Sequence, residues 1–190
     1  MYSVYVFAFL VLLIIFISIQ LEKYGDHPGI RYFKLLVLLN MAILLMDPLA
    51  MLLLGHGGVW NHWFLQGLTF LIFAVPTLLV IVWFSYVYSV THGKKPFLNK
   101  KIAIILLPAI LDLTLSFLSM FFDIYFVIDI NNGYSRGPLY LLTVTIQYGY
   151  FISASIMIFT NMKKLKKAWI YPLIIFAFVP MVAGLIQIMN

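Results

Sequence analysis

The chain has 190 residues, of which 64% are hydrophobic and only 9% are charged. An ordinary soluble domain carries about 25% charged residues, so this composition indicates a membrane protein rather than a soluble one. The formal net charge of +6 is not read as nucleic-acid binding, because basic residues of membrane proteins collect in cytoplasmic loops. The absence of cysteine excludes disulfides and thiol chemistry.

Six apolar segments are each long enough to cross a bilayer as a helix, which takes about 20 residues. In chain order they are Tyr2–Gln20, Tyr32–Leu54, Trp63–Val90, Lys101–Phe122, Pro138–Thr160 and Trp169–Met189. The first lacks the basic start and the small-residue cleavage site of a signal peptide, so it is predicted to be a retained helix. The sequence therefore predicts an all-α membrane protein with six transmembrane helices, forming one domain over residues 1–190.

The basic residues predict the orientation of these spans. Eleven of the 12 Lys and Arg residues lie in the first, third and fifth loops or at the adjoining ends of the spans, and the second loop has none. The positive-inside rule therefore places these three loops in the cytoplasm and the N-terminus outside. Their lysines are expected to fix the topology and to contact anionic lipids. An even number of spans then returns the C-terminus to the outer side.

Two aspartates lie inside predicted spans, where ionisable residues are costly and often functional. Asp47 in the second span and Asp112 in the fourth are expected at similar depth, facing each other or a shared cavity. Neither has a cation at that depth, which favours a neutral carboxyl that donates a hydrogen bond. Asp47 either satisfies a carbonyl freed by Pro48 or belongs to a ligand or proton site. Asp112 either bonds a neighbouring helix or belongs to the same site.

Other polar residues accompany the aspartates at helical spacing. Asn40 precedes Asp47 by seven positions, and Ser116 and Ser119 follow Asp112 by four and seven, so each shares a face with its aspartate. Further candidates for an interior lining are Thr69, Thr143, Thr145, Ser153 and Ser155. The predicted ligand site or polar core consists of Asn40, Asp47, Gln66, Asp112, Ser116, Ser119 and Gln147.

The second outer loop carries the signal of a β-hairpin. The segments YFVID and YSR flank Asn132-Gly133, a dipeptide typical of type I′ turns. Asp129 and Arg136 are expected to pair across this ribbon. The hairpin is either a compact connector or a lid over an outward-facing pocket, and its predicted lid residues are Asp129, Asn132, Gly133 and Arg136.

Catalytic and metal-binding patterns are absent from the sequence. It contains no P-loop, nucleophile elbow or zincin motif, which argues against an enzyme and a cofactor. His56 and His62 flank the first outer loop, but their spacing fits no standard zinc site, so an interfacial role is expected for them.

The chain resembles the membrane sensor regions of bacterial GGDEF diguanylate cyclases, notably those of Firmicutes. The resemblance lies in LLP at the start of the fourth span, Asp112, the segment FVIDINNGYSRGPLY and the GLIQ close of the sixth span. The second span, RYFKLLVLLNMAILLMDPLAM, is similar too, with Asp47 where those proteins carry an aspartate. The chain also resembles, more loosely, the seven-helix region of some histidine kinases.

This resemblance implies a signal-transduction module in the cytoplasmic membrane of a bacterium. In that family a seventh helix leads to a cytoplasmic domain that makes cyclic di-GMP, and this sequence lacks both. The expected partners are the bilayer, anionic lipids, an unidentified ligand, the output domain of a parent protein and a second copy of the chain. Two other readings stay open: a small transport component, such as a substrate-binding S-component of a vitamin transporter, and a passive scaffold.

Overall fold

The computed structural model describes residues 2–21, 28–93 and 104–165, and these are mostly helical. The five main helices are α1 (Tyr2–Leu21), α2 (Pro28–Leu53), α3 (Val59–His92), α4 (Leu107–Phe122) and α5 (Tyr140–Asn161). Two short strands, β1 (Phe126–Ile128) and β2 (Tyr134–Arg136), lie between α4 and α5, and a 3-10 turn, Met162–Lys164, follows α5.

Four of these helices, α1, α2, α3 and α5, are long and apolar enough to span a membrane. They correspond to the first, second, third and fifth predicted spans. The fourth corresponds to α4, which is apolar but has only 16 residues, and the start of that predicted span lies outside the described residues. The sixth, Trp169–Met189, also lies outside them, so six spans and their orientation stay a prediction.

Helix α3 is the centre of the bundle, because α2, α4 and α5 all pack against it, whereas α1 packs on α2. At one end of the bundle the core is built around Trp83, Val87 and Ala154. At the other it is built around Phe73, Tyr125 and Phe126. Helix α1 is apolar around its circumference and largely exposed, as expected of a helix that faces lipid.

The α4–α5 connection forms the predicted β-hairpin. Strands β1 and β2 are antiparallel, with Phe126 opposite Arg136 and Ile128 opposite Tyr134. The predicted type I′ turn is wrong, because residues 129–133 form a longer loop in which Asn132 (φ 60°) has a positive φ and Gly133 does not. The Asp129 carboxylate stabilises this loop by accepting the amide N–H groups of Asn131 at 2.8 Å and Gly133 at 2.7 Å.

The hairpin and the α2–α3 loop lie at the same end of the bundle, which we call the outer end in keeping with the predicted orientation. The amide of Gly55 donates to the carbonyl of Asn132 at 3.2 Å. Gly137 allows the base of the hairpin to close, because a side chain there would place a Cβ 2.5 Å from the carbonyl oxygen of Ile124. The hairpin is therefore packed onto the helices at both its tip and its base.

Candidate functional site

The candidate site is a hydrogen-bond network around the carboxyl group of Asp112, which is fully buried. Its Oδ2 accepts the hydroxyl of Thr77 from α3 at 2.5 Å and that of Thr143 from α5 at 3.2 Å. Its Oδ1 accepts the hydroxyl of Tyr125 at 2.8 Å. One carboxyl on α4 thus joins the two neighbouring helices to the base of the hairpin.

Gln147 determines which groups donate and which accept in this network. Its amide nitrogen donates to the hydroxyl oxygens of Thr77 at 3.2 Å and Thr143 at 3.1 Å. Because an amide nitrogen only donates, both threonine oxygens must accept, and their own protons are left for Asp112. The Thr77 proton also has a second acceptor, the carbonyl of Phe73 one turn earlier at 3.2 Å. Donors therefore converge on Asp112 from three elements of the chain.

Tyr125 reaches the network because the chain turns back sharply after α4. Asp123 ends that helix with a left-handed φ of 53°. The amide of Tyr125 then donates to the hydroxyl of Ser119 at 2.9 Å, and its ring stacks on Phe73 of α3 with the ring centroids 6.0 Å apart. Burial, followed by the hydrogen bond to Asp112 and the Asp112 charge, raises the pKa of Tyr125 above its ordinary value.

Ser116 and Ser119 share the buried face of α4 with Asp112, as the spacing predicts. The hydroxyl of Ser116 donates to the backbone carbonyl of Asp112 at 2.8 Å. The hydroxyl of Ser119 donates to Leu115 at 2.7 Å and accepts from Tyr125. Ser116 therefore supports α4 locally, whereas Ser119 connects the helix to the hairpin.

Asp47 lies apart from this network. Its side chain is half-buried, and it makes no hydrogen bond to any residue in the described part of the chain. The expected bond from Asp47 to a carbonyl freed by Pro48 is therefore wrong within those residues. The two aspartates are not joined within the described residues, because Asp112 bonds to Thr77, Tyr125 and Thr143, and α2 packs mainly on α1 and α3.

The remaining predicted polar residues have separate positions. Asn40 is half-buried and donates to the Leu36 carbonyl of its own helix at 2.9 Å. Gln66 is buried on α3, and its Oε1 has no hydrogen-bond partner among the described residues. Thr145 and Ser153 are exposed and bond to carbonyls of their own helix. None of these four joins the Asp112 network.

A second polar contact fastens the tip of the hairpin. Asn132 is fully buried; its amide nitrogen donates to the carbonyl of His56, and its Oδ1 lies 3.0 Å from Nδ1 of His62 on α3. Sequence reasoning assigned Asn132 to the turn and did not connect it to either histidine. Its contacts join residues 70 and 76 positions apart in the chain, which turn propensity does not report.

The other predicted lid residues serve the hairpin itself. The Asp129 carboxylate stabilises its own loop, and a Cβ at Gly133 would lie 2.7 Å from that carboxylate, so a side chain there would require the carboxylate to shift. The guanidinium carbon of Arg136 lies 4.8 Å from the ring centroid of Tyr140, a cation–π contact. Across the described ranges, no three His, Cys, Asp or Glu side chains are placed to hold a metal ion.

None of the three hydroxyl donors to Asp112 was in the predicted site; Thr143 was a further lining candidate, whereas Thr77 and Tyr125 were not predicted. The signal for Thr77 is helical spacing, since it follows Gln66 and Thr69 by eleven and eight positions and lies on the same side of α3. All three are buried. Tyr125 has no comparable signal, because its position depends on how the chain turns after α4.

No protein-family model, no curated protein and no solved structure matches this chain. The functional argument therefore rests on the geometry of the Asp112 network and of the hairpin.

Proposed function

We propose that the chain is a membrane sensory module, in which a stimulus at the outer end or within the membrane changes the packing of α3, α4 and α5. The observation that carries the proposal is the hydrogen bond between Tyr125 and Asp112. It connects the base of the hairpin to a carboxyl that α3 and α5 also share, so a movement of the hairpin changes contacts on three helices.

The burial of this network supports a two-state response. Asp112 and Thr77 are both fully buried, and an unpaired polar group in such a site is costly, so the network is expected to switch as a unit. The Thr77 hydroxyl has acceptors on both α4 and its own helix. An alternative arrangement is thus available in which the bond between α3 and α4 is released without leaving that proton unpaired.

The output of the proposed module is a cytoplasmic domain of the parent protein, a GGDEF diguanylate cyclase or a kinase, in a bacterial cytoplasmic membrane. The resemblance of the chain to such sensor regions supports this assignment. The lysine-rich loops are proposed to contact anionic lipids on the cytoplasmic side of the membrane, where the output domain would lie. A transport component is less well supported, because the polar groups of Thr77, Thr143 and Gln147 bond to one another or to Asp112.

The test uses the full gene product and the variant Tyr125→Phe, which removes one hydroxyl from the network. Cyclic di-GMP is measured in cells, and autophosphorylation is measured where the output domain is a kinase. We expect a several-fold change in output at an unchanged amount of protein in the membrane. The matched control is Tyr134→Phe, which removes a hydroxyl from an exposed tyrosine on β2 of the same hairpin.

The proposal fails if the two variants have the same output as the wild type. It also fails if no output domain is encoded with the chain or beside it. Accumulation of a labelled small molecule in cells, in place of a signalling response, would revive the transport reading.

A further inference from the structure

The contact between Asn132 and His62 has a direction that its surroundings determine. The side-chain nitrogen of Asn132 donates to the backbone carbonyl of His56, which can only accept. The amide is therefore oriented with its Oδ1 towards Nδ1 of His62, 3.0 Å away. Because Oδ1 is an acceptor, this contact is a hydrogen bond only when Nδ1 of His62 carries a proton.

The protonation state of the His62 imidazole determines how often its Nδ1 carries a proton. A protonated imidazole always carries a proton on Nδ1 and forms a charge-assisted bond. A neutral imidazole carries its single proton on either Nδ1 or Nε2, and the Nε2 form would set two lone pairs against each other. Losing the charge therefore weakens the bond even where the Nδ1 form is kept.

We propose that His62 and Asn132 form an acid-strengthened clasp, which holds the tip of the hairpin on α3 more tightly when His62 is protonated. The ligand of this site is the proton itself, taken up at the outer end of the bundle. Since His62 is only half-buried, protons from the surrounding water can reach it. The clasp does not depend on the proposed sensory function, although it would supply such a module with a stimulus.

The surroundings of His62 contain charges of both signs. Its place in the first turns of α3 opposes a positive charge, because the N-terminal end of a helix carries a partial positive charge. Among the described residues, the titratable or charged groups carried by this end of the bundle include His56 in the α2–α3 loop, Asp123 after α4, Asp129 in the hairpin loop and Arg136 on β2, while α2 carries Asp47 farther from its end and Arg31 and Lys34 near its start.

The experiment measures hydrogen–deuterium exchange of the hairpin, residues 123–137, in the wild-type protein reconstituted in lipid nanodiscs. Protection factors, corrected for the intrinsic exchange rate, are compared at pH 5.5 and pH 7.5, a range in which histidines titrate and carboxylates ordinarily do not. We expect protection to be about fivefold higher at pH 5.5, the ratio given by the difference between charged and neutral hydrogen bonds.

Two variants distinguish the effect of protonating His62 from the effect of protonating other histidines. His62→Gln keeps a side-chain donor whose protonation does not change with pH, so its hairpin should show equal protection at both pH values. His56→Gln is the matched control. The His56 ring bonds to the Leu54 carbonyl, and only the backbone carbonyl of His56 takes part in the clasp. This variant should keep the fivefold dependence of the wild type.

The proposal is overturned if wild-type protection is independent of pH, or if the dependence survives in His62→Gln. A measurement that needs no variant is the nitrogen NMR spectrum of histidine-labelled protein. It should show both ring nitrogens of His62 protonated at pH 5.5. A His62 ring that stays neutral with its proton on Nε2 at that pH contradicts the clasp, whatever the variants do.

Discussion

The two aspartates in apolar helices, Asp112 and Asp47, differ in what surrounds them. Asp112 on α4 is fully buried and accepts three hydroxyl groups. The side chain of Asp47 on α2 is only half-buried, and its carboxyl group makes no hydrogen bond to a described residue. The two aspartates look alike in the sequence, since each lies in an apolar segment with polar residues at helical spacing. A buried carboxyl group is stabilised where other elements of the fold supply hydrogen-bond donors. For Asp112 the donors come from α3, α5 and the base of the hairpin.

The largest effect is expected from Asp112→Ala, since it removes the acceptor shared by three buried hydroxyl groups, of which only that of Thr77 has a second acceptor among the described residues. We expect the free energy of unfolding to fall by about 2–4 kcal/mol, from about 1 kcal/mol for each lost bond in a membrane protein. Asp47→Ala should change it by less than about 1 kcal/mol. Unfolding in mixed detergent micelles measures both values, and similar losses in the two variants would remove the distinction between the aspartates.

Tyr125→Phe should have the next largest effect. It removes the bond to Oδ1 of Asp112 while keeping the aromatic ring that stacks on Phe73. We expect the free energy of unfolding to fall by about 1–2 kcal/mol near neutral pH. Tyr134→Phe, the exposed control on β2, should change it by less than about 0.5 kcal/mol.

The raised pKa of Tyr125 gives this variant a dependence on pH. The folded protein holds the phenol proton more tightly than the unfolded chain, whose tyrosines titrate near about pH 10. The resulting stabilisation is complete below that pH and is lost as the pH rises towards the folded-state pKa. Wild-type stability should therefore fall more steeply above about pH 10 than that of Tyr125→Phe. If the unfolding free energies of the wild type and Tyr125→Phe fell in parallel above that pH, this expectation would be contradicted.

Much of the fold follows from hydropathy and local turn chemistry, because both are properties of consecutive residues. The helices α1, α2, α3 and α5 match predicted spans, and the β-hairpin lies where Asn132-Gly133 indicated it. The meeting of three hydroxyl groups at Asp112 could not be predicted in the same way. Thr77, Tyr125 and Thr143 belong to three different elements, and only the packing of α4 against α3 and α5 brings them to one carboxyl.

A smaller effect is expected from Thr143→Val, which keeps the shape of the side chain and removes its hydroxyl. That hydroxyl donates to Asp112 and accepts from Gln147, so we expect a loss of about 1 kcal/mol in the free energy of unfolding. Thr145→Val makes the same change two positions later, at an exposed residue that bonds only to its own helix. It should be neutral within about 0.5 kcal/mol. Equal losses of unfolding free energy in Thr143→Val and Thr145→Val would show that the buried hydrogen bonds of Thr143 do not contribute to stability.

The smallest effect concerns the coupling between Asp47 and Pro48. Helix α2 continues through Pro48 to Leu53, and Asp47 makes no hydrogen bond that compensates for the proline within the described residues. A double-mutant cycle with Asp47→Asn and Pro48→Ala should therefore give a coupling energy below about 0.5 kcal/mol. The corresponding cycle with Asp112→Asn and Tyr125→Phe should give about 1 kcal/mol or more, because those side chains are in direct contact. A coupling at Asp47 as large as that at Asp112 would mean that Asp47 holds the proline break after all, and that the two aspartates stabilise the bundle in the same way.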